Sequence, residues 1–273
     1  MKYLLLLFLL TNWNSIYGQE FNKISVFPNK EEYSIKSYSK ENIWIFILAG
    51  QSNMAGRAII APMGTIAHSR ILAINIQNKI IMAKEPISFF ESDKKGLSCG
   101  LAFGKELIKN VADSVFVLFV PCAVGGSSID QWIGDSIHRN VKLLSNFKSQ
   151  VAWAKKNGTI KGVLWHQGES DVVSKDIFNY KTKLKKLFNE FRITIENNKL
   201  IILTAEIGMF KKDNSKEKII NKQIKQNVLL DPYTFLVKTK GFKSNGDNLH
   251  FDSKSQRLLG QRFAKKYLEN IRN

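Results

Sequence analysis

Cysteine, proline and glycine are all scarce in this 273-residue sequence, which contains 2 Cys, 5 Pro and 17 Gly. A composition so low in these residues, with 44% hydrophobic residues, excludes a collagen, a disulfide-rich scaffold and a disordered low-complexity chain. A chain of this length buries roughly 70–75% of the surface that its unfolded form exposes. It therefore needs neither a metal nor disulfide bonds in order to fold.

Motifs for metal binding are also missing. The sequence has no Cys-x-x-Cys and no His-x-x-x-His, so a structural zinc site has no ligands available and we expect no metal. Cys99 and Cys122 could form a disulfide in an oxidising compartment, but a single pair without framework spacing is weak support for one. We interpret both cysteines as small buried hydrophobic residues.

Acidic residues are few compared with basic ones, 23 against 41, which gives a formal net charge of +18. Only 7 of the basic residues are Arg, and the Lys residues are scattered along the whole chain. Nucleic-acid-binding proteins usually concentrate Arg and aromatic residues on one face, so we expect no nucleic-acid partner. We interpret the charge as a solvated Lys-rich surface, with weak attraction to acidic polysaccharide or anionic cell surfaces as the alternative.

Long apolar runs are absent except at the N-terminus. Lys2 is followed by seven consecutive apolar residues at 4–10 and by polar residues, which is the pattern of a secretory signal peptide with cleavage after Gly18. The run is too short to span a bilayer of about 30 Å. The sequence therefore predicts a signal peptide at 1–18 and an exported protein, periplasmic or secreted, with no membrane anchor after cleavage. The alternative is a buried strand or helix of the domain itself.

The rest of the chain alternates strand and helix patterns. Four continuous apolar runs predict strands that are buried on both faces, at 43–48, 115–120, 162–165 and 200–203. Helical periodicity is found at 101–109, 141–156, 177–191, 219–228 and 256–271. This alternation predicts an α/β fold, a three-layer α/β/α sandwich with a mainly parallel sheet. No linker or repeat divides 19–273, which we expect to form a single domain, and residues 57–95 give only weak strand signals.

Unusual polar residues lie next to the predicted strands and the last helix, where active sites of open α/β sheets gather. They form four segments: Gly-Gln-Ser-Asn-Met at 50–54, Gly-Gly-Ser-Ser-Ile at 125–129, Trp-His-Gln-Gly-Glu-Ser-Asp at 165–171 and Asp-Asn-Leu-His-Phe at 247–251. Taken singly, Ser52 would be interpreted as a helix N-cap and the glycine pair as a turn. Together with an Asp-x-x-His, in which a carboxylate can orient an imidazole base, they predict a serine nucleophile.

These four segments resemble the sequence blocks of the SGNH hydrolases, and within them the sialate O-acetylesterase-like group that includes the carbohydrate esterase family 6 acetylxylan esterases. In the broader superfamily the first block reads Gly-Asp-Ser and the third carries Asn. Gln51 and Gln167 depart from that pattern in the manner of the carbohydrate esterase branch. The resemblance implies an SGNH-type, flavodoxin-like sandwich and an exported serine esterase that removes O-acetyl groups from carbohydrate without a cofactor.

The resemblance also implies catalytic roles. Ser52 would be the nucleophile, His250 its base, and Asp247 the carboxylate that fixes the tautomer of the imidazole. The oxyanion hole would consist of the backbone N–H groups of Ser52 and Gly126 and the side-chain amide of Gln167. Each such donor is typically worth about 3–4 kcal/mol when it is aimed at the developing alkoxide.

Other polar residues are expected to support this site. Gln51 would support the site, and Glu169 would support the loop that carries Gln167. Glu169 is also the rival of Asp247 as partner of His250, and the alternative is that the two carboxylates share that role. His166 follows a predicted buried strand, so we assign it a structural role rather than that of base. Arg57 would form a structural ion pair, although it could instead hold a substrate carboxylate.

Two alternatives to a carbohydrate esterase remain at this point. One is a lipase- or thioesterase-type SGNH hydrolase, against which counts the lack of a long apolar lid near the site loops. The other is a non-catalytic carbohydrate-binding relative, against which count the intact Ser52, Asp247 and His250. The sequences of the loops do not indicate which sugar carries the acetyl group.

Overall fold

The computed structural model describes residues 31–33 and 38–271, so the predicted signal peptide at 1–18 lies outside the described residues. The strands of the described part are β1 (Ile43–Gly50), β2 (Ile71–Ile74), β3 (Ile80–Met82), β4 (Phe116–Pro121), β5 (Ile137–His138), β6 (Val141–Lys142), β7 (Thr159–His166), β8 (Ile201–Ala205) and β9 (Thr234–Val237). Its α-helices are α1 (Ser52–Ala55), α2 (Gly100–Leu107), α3 (Ile129–Ile133), α4 (Leu143–Asn157), α5 (Tyr180–Ile195), α6 (Ser215–Leu229) and α7 (Ser253–Ile271).

Seven strands form one sheet in the order β3-β2-β4-β1-β7-β8-β9. Every neighbouring pair runs parallel except β2 and β3, which are antiparallel. β5 and β6 form a separate two-stranded sheet. The predicted α/β/α sandwich with a mainly parallel sheet is confirmed.

The central strand β1 is apolar on both faces because helices cover both. Its alternate residues Ile45 and Ile47 point to a core that includes residues of α3, α4, α5 and α6. Phe46 and Leu48 point to the opposite core, which includes residues of α2 and α7. A strand buried in this way has no polar positions, which is why its sequence is a continuous apolar run.

No helix within the described ranges is long and apolar enough to cross a membrane.

The elements that the sequence did not predict are short or half-buried. β9 has four residues, two of which are only partly buried, and β2 and β3 account for the weak signals in residues 57–95. The short helices α1 and α3 have too few turns to show a helical period. The helix predicted at 177–191 begins later, at Tyr180, because Ile177–Asn179 form a 3₁₀ turn.

The two cysteines are free thiols and fully buried. Cys99 belongs to the core on the α2 and α7 face of the sheet, and Cys122 belongs to the core on the opposite face. Burial raises the pKa of both thiols. Their geometry agrees with their interpretation as small buried hydrophobic residues.

Glu85 is a buried carboxyl, only 4% exposed. Burial raises its pKa from 4.5 to about 8, although the backbone N–H of Ser98 donates to its Oε2 at 3.2 Å and works in the opposite direction. The folded chain therefore holds a proton here that the unfolded chain releases once the pH exceeds 4.5. Stability from this group is fully present below pH 4.5 and is lost as the pH rises toward 8.

The substitution Glu85→Gln is expected to flatten this pH dependence, because glutamine has the shape of the protonated acid and cannot ionise. Between pH 4.5 and 8, Glu85 lowers the free energy of unfolding of the wild type by up to about 1.4 kcal/mol per pH unit. Urea unfolding at pH 5 and pH 8 measures the difference. Glu106 lines the same pocket as Glu85 and forms an ion pair with Lys109; the variant Glu106→Gln is the control and should keep the wild-type slope. Equal slopes for wild type and Glu85→Gln would contradict this account.

Candidate active site

The four polar segments meet at the carboxyl edge of the sheet. Three of them follow β1, β4 and β7, which are neighbours in the sheet, and the fourth leads into α7. At the carboxyl ends of β1 and β7, Gly50 pairs with His166. A Cβ on Gly50 would lie 2.1 Å from the carbonyl oxygen of His166, and Gly50 has a φ of +131°. Only glycine allows this approach, which brings the first and third segments together.

The imidazole of His250 joins Ser52 to Asp247. Its Nε2 lies 2.9 Å from the Oγ of Ser52, and its Nδ1 lies 2.5 Å from the Oδ2 of Asp247. The other carboxylate oxygen accepts from the backbone N–H groups of Leu249 and His250, at 2.9 and 2.7 Å. Because an ionised carboxylate only accepts, it keeps the ring proton on Nδ1 and leaves Nε2 able to take the proton of Ser52.

The surroundings of Asp247 keep its carboxyl ionised. Partial burial opposes the charge, but the backbone N–H of His250, the ring of His250 and the N–H of Leu249 together lower the pKa of Asp247 below its usual 3.8. At neutral pH this carboxylate is therefore charged. It can stabilise the imidazolium that forms when His250 accepts a proton.

Asn53 connects the segment that contains His250 to the turn that contains Ser52. Its side chain is fully buried, and its Oδ1 accepts from the backbone N–H of Phe251 at 3.0 Å. Its Nδ2 donates to the carbonyl of Leu249 at 3.3 Å and to Oε1 of Glu169 at 2.6 Å. Sequence reasoning gave Asn53 no role of its own, although it stands in the first motif directly after the serine. It fixes the position of His250 relative to Ser52.

Glu169 is buried beside the site but does not reach the imidazole of His250. Its Oε1 accepts from Asn53 and lies 3.4 Å from Nδ1 of His166, and its Oε2 has no hydrogen-bond partner. Among the described residues it makes no ion pair with His250. Of the two carboxylates, it is therefore Asp247 that contacts the imidazole of His250. Glu169 contacts Asn53, which in turn contacts the segment that carries His250.

His166 lies in the core at the end of β7. It is fully buried, its Nε2 is 3.2 Å from the carbonyl oxygen of Glu206, and its ring packs edge-on against Phe251 with the centroids 5.3 Å apart. No contact joins it to Ser52 among the residues that the structure describes. Its position is that of a structural residue.

The side chain of Gln167 does not lie in the oxyanion hole, where the resemblance led us to expect it. Its side chain is fully buried, and its Nε2 donates to Oε1 of Gln51 and to the carbonyl of Ser127, both at 3.1 Å, and to the carboxylate of Asp171. Its Oε1 accepts from the hydroxyl of Tyr180 at 2.8 Å. An amide nitrogen has two hydrogens, and three acceptors already compete for them. The expected oxyanion role of Gln167 is therefore corrected: its amide nitrogen is turned to buried acceptors rather than to the pocket.

The glycine pair after β4 presents a backbone donor to the pocket. Gly126 has a φ of +76°, and its N–H has no acceptor within the described part of the chain, as is true of the N–H of Ser52. The N–H of the preceding Gly125 donates to Oε2 of Glu91 at 2.6 Å. This hydrogen bond fixes the position of the turn that contains Gly125 and Gly126.

Arg57 holds Glu91 in that position. Its Nη2 lies 2.7 Å from Oε2 of Glu91, both side chains are less than 10% exposed, and Arg139 contacts the other carboxylate oxygen. Burial opposes the charge of Glu91, yet Arg57, the N–H of Gly125 and Arg139 together lower its pKa. The geometry agrees with the interpretation of Arg57 as a member of a structural ion pair.

Ser52 lines a pocket of about 230 Å³ whose lining side chains are mostly polar or charged. Ser52, Gly126 and His250 line it on one side, and Lys94 and Arg139 contribute positive charge to its walls. No group of three or more His, Cys, Asp or Glu side chains in the described ranges is arranged to hold a metal ion. The arrangement suits attack on a small acyl group attached to a larger polar molecule that remains outside.

Comparison with known proteins places the chain in a family. A family model described as carbohydrate esterase, sialic acid-specific acetylesterase, matches residues 42–269. A probable carbohydrate esterase of Arabidopsis thaliana is 30% identical over an alignment of 268 positions, which covers 90% of this chain and 98% of the relative. An X-ray structure of a protein from Arabidopsis thaliana matches with a TM-score of 0.73 and 28% identity, covering 84% of this chain and 99% of that one.

More distant relatives share the fold. A carbohydrate acetylesterase of Xanthomonas citri matches with a TM-score of 0.62 and 17% identity, over 82% of this chain and 55% of that one. The family match runs from the residue before β1 into α7, and so includes all four segments of the site. The resemblance to the sialate O-acetylesterase-like group is confirmed. The chain belongs to the carbohydrate esterase family of the sialic acid-specific acetylesterases, and it is a carboxylic ester hydrolase.

Proposed function

We propose that this protein is an exported serine esterase that removes O-acetyl groups from carbohydrate through an acetyl-enzyme intermediate. The observation that carries the proposal is the hydrogen-bonded series Ser52, His250 and Asp247, with 2.9 and 2.5 Å between its members. Export is supported by the signal-peptide pattern at 1–18.

The series supports acyl transfer in two steps. In the first, Oγ of Ser52 attacks the acetyl carbonyl while Nε2 of His250 takes the hydroxyl proton. The tetrahedral intermediate collapses, His250 gives the proton to the departing sugar oxygen, and acetyl-Ser52 remains. In the second, His250 takes a proton from water, the resulting hydroxide attacks the acetyl group, and acetate leaves as Ser52 regains its proton.

Negative charge develops on the acetyl oxygen in both steps. The backbone N–H groups of Ser52 and Gly126 have no acceptor among the described residues, and both residues line the pocket. Donors held in place by the fold stabilise the alkoxide without reorganisation during the reaction. We assign these two N–H groups to the oxyanion hole.

Polar walls favour carbohydrate over lipid as the group that carries the acetyl ester. The pocket is small, and most of the side chains that line it are charged or polar, including Lys94, Arg139 and Glu169, with Leu249 the apolar one. Such walls do not suit a long acyl chain, which needs apolar surface to be buried. The intact series around Ser52 argues against a purely carbohydrate-binding protein.

Acetate release from a panel of acetylated glycans tests the proposal. The purified protein is incubated with acetylated xylan, O-acetylated sialic acid, and acetylated pectin and peptidoglycan, with the Ser52→Ala variant as control. We expect acetate from at least one glycan at a rate far above that of the variant. Equal rates for the two proteins on every glycan, together with no hydrolysis of p-nitrophenyl acetate, would overturn it.

Salt is expected to distinguish acidic from neutral substrates. The net charge of +18 and the cations at the pocket attract an acidic glycan over a distance that falls from about 30 Å at 0.01 M ionic strength to about 3 Å at 1 M. We therefore expect kcat/KM for an acidic glycan to fall as salt is added, and kcat/KM for a neutral one to stay constant. Lys94→Gln should weaken the response of the acidic substrate only. Identical salt responses for both substrates would exclude steering.

A further inference from the structure

We propose that a second pocket, between α2 and α7, binds an organic carboxylate with an apolar body. The lining of this α2–α7 pocket includes Glu85, Leu97, Leu101, Lys105, Ile108 and Arg257. Among the residues that the structure describes, none lines both this pocket and the catalytic pocket around Ser52. The inference therefore goes beyond the proposed esterase and does not depend on it.

The α2–α7 pocket has the size and the apolar lining that a small organic ligand needs. Its volume is about 410 Å³, whereas the catalytic pocket has about 230 Å³. Pockets that bind small molecules usually have volumes of roughly 300–1,000 Å³. The buried side chains of Leu97, Leu101 and Ile108 line it, and the exposed side chain of Met63 shows that it is open to solvent. A ligand with an apolar body would contact these side chains in place of water.

Arg257 supplies a buried cationic donor that lacks an acceptor. Its Nη2 is buried and has no hydrogen-bond partner in the described part of the chain, whereas its Nη1 lies 3.4 Å from the carbonyl oxygen of Ser253. The N–H groups of a guanidinium can only donate, and buried donors are rarely left without an acceptor. A carboxylate matches a guanidinium through two parallel hydrogen bonds. We therefore assign the carboxylate of the ligand to Nη2 of Arg257.

The charges around the α2–α7 pocket favour an anionic ligand. Lys105 lines the pocket and makes no ion pair within the described ranges, while the carboxylate of Glu106 is paired with Lys109 at 3.0 Å. Burial raises the pKa of Glu85 to about 8, so at pH 7 most of this carboxyl is protonated and adds little negative charge. Lys105 and Arg257 therefore leave an excess of positive charge in the pocket.

Calorimetric titration of the purified wild-type protein with sodium octanoate at pH 7 tests the proposal. Octanoate joins a carboxylate to an apolar chain, and octan-1-ol, which has the same chain and no charge, is the comparison. We expect octanoate to bind at a single site, about tenfold or more tightly than octan-1-ol, because only octanoate accepts a charged hydrogen bond. No saturable binding of octanoate, or equal affinities for the two compounds, would overturn the proposal.

The variants Arg257→Gln and Lys105→Gln remove the two unbalanced charges one at a time. Arg257→Gln should weaken octanoate binding by about tenfold or more, and Lys105→Gln by a smaller factor. Lys265→Gln is the matched control, because it removes the same charge from an exposed position of α7 outside the pocket, and it should keep the wild-type affinity. Wild-type affinity in Arg257→Gln, or an equal loss in Lys265→Gln, would refute the site.

Methyl NMR spectra of the wild type locate the bound octanoate without reliance on the folding of a variant. Leu101 and Ile108 line the α2–α7 pocket, whereas Leu249 lines the catalytic pocket. We expect octanoate to shift the methyl signals of Leu101 and Ile108 and to leave those of Leu249 unchanged. A shift at Leu249 without shifts at Leu101 and Ile108 would place the carboxylate beside Ser52 and would overturn the proposal, while the esterase would stand.

Discussion

Replacement of Ser52 with alanine is expected to lower kcat for p-nitrophenyl acetate by about 10⁶, the size of the loss when the nucleophile of a serine protease is removed. The hydroxyl is the group that attacks, and no other side chain lies at hydrogen-bond distance from Nε2 of His250 within the described ranges. What remains would be the weak acceleration from binding and the oxyanion donors.

Initial rates with equal concentrations of wild type and variant measure this loss. Ser253→Ala is the matched control, since Ser253 also begins a helix but donates its hydroxyl to the carbonyl of Ile59 and not to the catalytic ring. Its kcat should equal that of the wild type. A Ser52→Ala protein with kcat within tenfold of the wild type would exclude Ser52 as nucleophile.

Asp247→Asn is expected to lower kcat by about 10⁴, as in the serine protease precedent. The carboxylate accepts from Nδ1 of His250 at 2.5 Å, whereas the amide of asparagine can present its NH₂ group to the ring and select the tautomer with the proton on Nε2. In that tautomer His250 cannot accept the proton of Ser52. Loss of the negative charge also leaves the imidazolium without its counter-ion.

Glu169→Gln is the comparison that separates the two carboxylates. Glu169 contacts Asn53 and His166 but not His250, so this substitution should reduce kcat far less than Asp247→Asn. Both variants are compared at the same pH after their folding has been checked by circular dichroism. A larger loss in Glu169→Gln would reverse the assignment of the orienting carboxylate.

Local sequence patterns predicted the parts of the site that lie close together in the chain. Asp247 and His250 are three residues apart, and their bond closes within one turn of backbone. Ser52 follows a strand whose continuous apolar sequence identifies it as the centre of a parallel sheet, and residues after such a strand lie at the carboxyl edge. These features need no knowledge of distant contacts.

The position of the Gln167 side chain could not be predicted in this way. Gln51 and Gln167 each follow directly after one of two paired strands, so their sequence positions are equivalent, with Gly50 opposite His166. The Asp171 carboxylate and the Tyr180 hydroxyl hold the Gln167 amide in the core. Contacts of this kind depend on side-chain conformations that the order of residues does not reveal.

Burial explains where the fold prediction succeeded and where it did not. β1 is apolar almost throughout because both of its faces are covered, whereas β9 lies at the edge of the sheet with two of its four residues half-buried. An edge strand needs less apolar sequence and gives a correspondingly weak pattern. The same reasoning applies to β3 at the opposite edge, where all three residues are half-buried.

Rapid quenching of the reaction with p-nitrophenyl acetate, followed by digestion and mass spectrometry, tests the central claim most directly. An ester with a good leaving group acylates the enzyme quickly, so the acetyl-enzyme accumulates before water releases it. The account predicts an acetyl group on Ser52 in the wild type and on no residue of the Ser52→Ala variant. Hydrolysis by the wild type without acetylation of Ser52, or with the acetyl group on a different residue, would contradict it.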